Sequence, residues 1–197
     1  AGDHRMTNQS RYVGTIASGN LRWFSGTQFG GDGVTPGSKA IFSGQVSWEG
    51  GDLQQNFEIK SGATLTATGA TAKRQVGSNL TNDGTVLWNT TTALQGGNSS
   101  VLTNTALIEV RQSADFQWNF GGRPTLTNEA SGTIRATNSA TLNIGNYALT
   151  SNGGKFEADS GSAIVYSGDS NRFNDGTSFA GDHRMTNQSR YVGTIAS

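Results

Sequence analysis

The chain has no cysteine, two prolines in 197 residues, and charge on only 14% of its positions. Without cysteine there is no disulfide scaffold, thiolate metal site or cysteine nucleophile. An ordinary domain carries charge on roughly 25% of its residues and is roughly 45–50% apolar. This chain is 33% hydrophobic. Fourteen basic residues balance fourteen acidic ones, with no basic run. Binding to a phosphate backbone needs clustered lysine and arginine, so no nucleic-acid partner is expected. No apolar run approaches the roughly 18 residues of a membrane-spanning helix. There is no initiator methionine and no signal-peptide apolar stretch, so the chain reads as a window on a longer polypeptide.

Small, turn-forming residues fill the space left. Glycine (28), threonine (24), serine (21) and asparagine (17) together make up 90 positions. Disordered segments are poor in aromatics, whereas this chain spaces 17 of them along its length.

Repetition is the strongest signal. Residues 1–18 read AGDHRMTNQSRYVGTIAS and residues 180–197 read the same, an offset of 179 without a mismatch. Chance does not produce this. Residues 1–179 therefore read as one unit and 180–197 as the start of an identical next unit. Inside the unit, seven segments repeat a pattern: a short alternating strand, a polar turn, a second strand and a closing glycine. They begin at Gly14, Lys39, Asn56, Gly84, Leu107, Gly132 and Gly154. Leu-Thr-Asn triplets stand ahead of several of them, at Leu80, Leu102 and Leu126, with a Leu149-Thr150-Ser151 variant and a further variant at Met6-Thr7-Asn8. The leucines are spaced by 22, 24 and 23 residues. The two longest loops are expected at Gln28–Ser38 and Gly168–Arg184.

The alternation has period two, which is the signature of half-buried strands, and no helical stripe runs free of glycine. A single rung cannot bury its own apolar side, but stacked rungs can. We therefore expect an all-β chain: a right-handed parallel β-helix (β-solenoid) of about seven rungs of 22–26 residues, with three short strands per turn. Asparagine tolerates the left-handed conformation of tight corners, and stacked asparagine amides can bond in a ladder. Ile134, Leu142, Ile144, Ile108, Phe116, Trp118, Val165 and Leu65 are expected in the core. Trp118 is included because it aligns with Trp23 and Trp48 in the second strand of a rung. If the coil runs unbroken, a unit advances roughly 34 Å and sets Gly193–Ile195 above Gly14–Ile16, facing the same way.

The Leu-Thr-Asn and Gly-Thr-Ile pattern, nearly whole from Leu126 to Ile134, resembles the repeats of large secreted bacterial β-helix proteins, of which filamentous-haemagglutinin-like adhesins are the best-known group. The resemblance implies a bacterial, extracellular or cell-surface location and an elongated, adhesive protein.

Chemistry is sparse. The two histidines, His4 and His183, are one repeat position, too few for a two-histidine metal site. Acidic residues are scattered, whereas β-helix lyases and hydrolases need clustered carboxylates. Phe29-Gly30-Gly31-Asp32-Gly33 looks like one calcium-binding nonapeptide, but such sites need successive copies. No cofactor, metal or catalytic residue is expected, and the chain does not read as an enzyme. The expected role is a structural repeat of a long extracellular fibre, stalk or sheath that associates with copies of itself. The alternative is a glycan-binding adhesin module, with Gln28, Phe29 and Asp32 in the contact loop; a polysaccharide-degrading enzyme ranks third.

Overall fold

The computed structural model describes residues 4–17 and 19–194. Every regular element among them is a strand, and strands pair in parallel with those one turn before and after. The result is a parallel β-helix of about eight turns with three faces. The first face is a nine-strand sheet running from His4–Met6 to Ser178–Ala180. The second and third faces merge into one 16-strand sheet. They merge because two long strands, Gly51–Ile59 and Lys73–Asn82, run through the corner between them without a break.

That corner demands a left-handed backbone. Gln55, Gly77, Asn98, Ser99, Gly121 and Asn146 all take positive φ there. Asparagine and glycine suit the position because a short polar side chain, or none, relieves the clash that other residues suffer.

Alternation puts every second side chain inside, and register stacks like positions on one another. On the first face one inward row runs Leu21, Val46, Leu65, Val86, Ile108, Ile134, Phe156. The adjacent row runs Trp23, Trp48, Ala67, Trp88, Val110, Ala136. On the third face Phe57 is followed by the four leucines of the triplets, and Ile59 by Asn82, Asn104, Asn128 and Ser151. The asparagines form the expected ladder: Asn82 Nδ2 donates to Asn104 Oδ1 and Asn104 Nδ2 to Asn128 Oδ1, both at 2.8 Å. All three are fully buried. A buried amide is tolerable because its neighbours above and below, together with backbone carbonyls, satisfy it.

Six of the eight expected core residues are buried: Ile134, Leu142, Ile144, Ile108, Phe116 and Leu65. Two are not. Val165 is only half-buried. It stands in the outward row with Asn143, while Ile164 and Tyr166 point inward. The run Ala163–Tyr166 is apolar throughout, so alternation could not set its register. Trp118 is 44% exposed. It lies on the second face, not the first, and it is Trp88 that continues the row of Trp23 and Trp48. Trp118 is paired with Gly96, and the pairing slips by a residue immediately after it. The space inside Gly96 is taken by the buried Tyr147 ring, whose hydroxyl lies 2.4 Å from where a Gly96 Cβ would sit. The strand therefore bulges and turns the indole outward.

Three further expectations change. The stretch expected as a loop from Gly168 to Arg184 holds strands Asn171–Phe173 and Ser178–Ala180 and the start of Asp182–Met185. Met6-Thr7-Asn8 does not join the third-face triplets, since its strand His4–Met6 lies on the first face. Ile195, the upper marker for the advance per unit, lies outside the described residues, as does Ser18.

Candidate functional site

The expected contact loop does not assemble a binding site. Gln28 and Phe29 belong to the strand Thr27–Gly30, and Gln28 is fully buried. Its amide oxygen accepts from Tyr12 Oη at 3.1 Å and its nitrogen donates to the carbonyls of Asn8 and Ser25. Alternation turns it inward, and these three partners make a polar group tolerable there. Phe29 is half-buried beneath the Arg11 guanidinium, 4.9 Å from its ring centroid. Asp32 closes the loop on itself: one carboxylate oxygen accepts from the backbone N–H of Val34 at 2.9 Å and of Thr35 at 2.8 Å. Hydrogen bonding, first from the Thr35 side chain and then from these backbone groups, holds its pKa down at about 2. That carboxylate organises a turn; the three side chains do not converge.

Carboxylates elsewhere are taken up by arginines. Glu49 meets Arg22 and Asp52 meets Arg74, both at 2.6 Å, while Glu157 meets Arg135 at 2.7 Å. Each of these pairs links adjacent turns on the outer surface. Among the described residues no three histidine or acidic side chains lie together in a way that could hold a metal ion. His183 packs against Tyr166 and Phe179, with Nδ1 3.2 Å from the Tyr166 hydroxyl. Burial lowers its pKa. Lys73 is buried too, and its ammonium reaches the carbonyls of Glu49, Gly69 and Thr71 and the hydroxyl of Thr92 at 2.8–3.2 Å. Burial pulls its pKa down to about 8, with the Glu49 charge opposing. It ties two corners together and faces no open cleft.

The terminal turns are different. Both are built from the repeated segment and both leave a sheet edge open. At one end His4–Met6, Ser10–Tyr12 and Gly14–Ile16 lie on the first, second and third faces, paired with Leu21–Trp23, Thr27–Gly30 and Ala40–Phe42. At the other end the same sequence sits one face further on. Asp182–Met185 pairs with Ala163–Tyr166 on the second face and Ser189–Tyr191 with Asn171–Phe173 on the third. Thr194 then bonds over the turn that leads to the first face: its N–H donates to Asp175 Oδ1 at 2.7 Å, and its carbonyl accepts from Gly176 N–H at 3.2 Å. What precedes the segment sets the shift. Ser178–Ala180 already fills the first face at that end. The expectation that both copies face the same way is thus corrected for the described part of the tail.

Identical residues meet different surroundings at the two ends. Tyr12 is 9% exposed, packed on Trp23 and Phe42, and its hydroxyl accepts from Trp23 Nε1. Its counterpart Tyr191 stacks on Phe173 and is 47% exposed, beside an exposed Val192. Nothing in the sequence of the segment distinguishes the two settings; the 179-residue offset was the only pointer to this site. No helix in the described chain is long and apolar enough to cross a membrane. Comparison with family models, with curated proteins and with solved structures finds no match, so the geometry alone carries the functional reading.

Proposed function

We propose that the chain is a structural unit of a long extracellular rod, a fibre, stalk or sheath on a bacterial surface, which assembles by self-association through its ends. One observation carries this reading: a β-solenoid whose two open ends are made from the same sequence. An open parallel edge is a template for another strand, and a solenoid that is not capped gains by continuing. The stacked rows, the asparagine ladder and the arginine–carboxylate pairs between turns all act along the axis, as a load-bearing rod requires.

Sedimentation velocity over a concentration series, with negative-stain microscopy of the same samples, tests it. Species should lengthen with concentration at constant width. A chain that stays monomeric at every concentration overturns the reading. A glycan-binding role is the second reading, favoured by one observation: Trp118 stands exposed, its Nε1 held by the Gly121 carbonyl at 3.0 Å, on a strand carrying Asp115 and Gln117. Binding to a glycan panel that is lost in Trp118→Ala would support it; an unchanged profile would remove it.

A further inference from the structure

The two copies of the repeated segment use opposite edges. Among the described residues, His4–Met6 and Ser10–Tyr12 pair only with the turn that follows them, while Asp182–Met185 and Ser189–Tyr191 pair only with the turn that precedes them. The inward set is the same in both: Met6 lies opposite Trp23, Met185 opposite Tyr166, and Tyr191 opposite Phe173. The two settings are therefore compatible with a single strand set that has both edges filled.

We propose that copies of this chain join by sharing that turn. The tail of one copy, from Asp182 onward, replaces residues 4–16 of the next and serves at once as the last turn of one and the first turn of the other. Leu21–Trp23 of the second copy then sits on Asp182–Met185 of the first, and Thr27–Gly30 sits on Ser189–Tyr191. The exposed Tyr191 gains the cover of Trp23 and Phe42 that Tyr12 has. Every contact the displaced segment made is remade by identical residues, and the freed segment regains chain entropy, which opposes the entropy lost on association. Because the tail is set one face on, each copy is rotated by one face of the solenoid relative to the last, and every fourth copy presents the same side. This deepens the rod reading and rests on it.

The absence of cysteine makes the joint easy to trap. Arg5 stands opposite Arg22, and Arg184 is its counterpart in the tail. Chains carrying Arg184→Cys are mixed with chains carrying Arg22→Cys, incubated at high concentration and treated with a short bismaleimide. The expected result is a shift from monomer to heterodimer mass in the mixture and not in either variant alone. Arg190→Cys mixed with Phe29→Cys reads the same joint on the neighbouring face, since Arg11 stands opposite Phe29, should Arg22→Cys fail to fold. The contrasting mixture is Arg184→Cys with Arg11→Cys, which reports two complete ends stacked face on face without exchange. Heterodimer in that mixture alone overturns the shared turn and leaves the rod reading standing. Monomer in every mixture, with no association of the unmodified chain, overturns both.

Discussion

The solenoid fills its interior in two ways. Between residues 80 and 152 the third-face leucines recur every 22–24 residues, and each inward position stacks on its own kind, leucine on leucine and asparagine on asparagine. Between residues 21 and 86 the first-face row Leu21, Val46, Leu65, Val86 is spaced by 25, 19 and 21 residues. There the contents are particular to each turn. Trp23 meets Phe42 and Phe57 edge-on at 5.2 and 5.8 Å, Gln28 is held by Tyr12, and Lys73 spans two corners. Equal turns let one solution repeat. Unequal turns change the cross-section from rung to rung, and large rings or hydrogen-bonded polar groups fill what aliphatic rows cannot.

The sharpest way to break the irregular half is Trp23→Ala. Truncating a fully buried tryptophan costs about 3–5 kcal/mol. Hydrogen exchange should show the protection loss confined mainly to the turns before residue 60. Uniform loss along the chain would show instead that the two halves unfold as one unit.

In the regular half the matching test is Asn104→Ala. Its amide bonds both neighbours and reaches the carbonyls of Ala106 and Thr133. Losing those bonds and stranding buried partners should cost about 3 kcal/mol by urea denaturation. Asn79→Ala, which removes an exposed bond to Asn56, should cost under about 0.5 kcal/mol. Equal effects would mean that the ladder contributes nothing beyond surface hydrogen bonding.

Lys73 gives the irregular half a pH signature. Its folded pKa of about 8 lies below the ordinary 10.5. The unfolded chain therefore binds more protons between those values, and stability should rise as pH increases through that window. The penalty is full below pH 8. Buried Tyr147 and Tyr166 have raised pKa values, so their opposite effect begins only near pH 10, where unfolded tyrosine ionises. Between pH 8 and 10 the gain should be about 2 kcal/mol. Lys73→Met should flatten it; a rise that persists would assign the effect to another group.

The smallest effect sharpens the one irregularity in the regular half. Trp118→Ala should cost less than about 1 kcal/mol, against about 3–5 kcal/mol for the buried Trp88→Ala. A large loss at Trp118 would mean that the bulge does not turn its ring to solvent.

Much of this was legible in the sequence because a solenoid is a local code repeated. Period-two alternation fixed strands, recurrence of Leu-Thr-Asn fixed the turn length, and the triplets placed Asn82, Asn104 and Asn128 in one ladder before any contact was known. Alternation failed where every residue is apolar, at Val165, and where a strand bulges, at Trp118, because period two carries no register in the first case and breaks in the second. It also could not tell that Gln28 belongs inside: burial of a polar side chain depends on partners such as Tyr12 that arrive from another turn. The phase of the repeated segment lay furthest from reach. Its residues are the same at both ends, so local preference is the same, and only the strand already occupying the first face, Ser178–Ala180, moves the second copy one face on. Sequence determined which side of each strand turns inward; the stack of neighbouring turns decided which face of the rod each strand occupies.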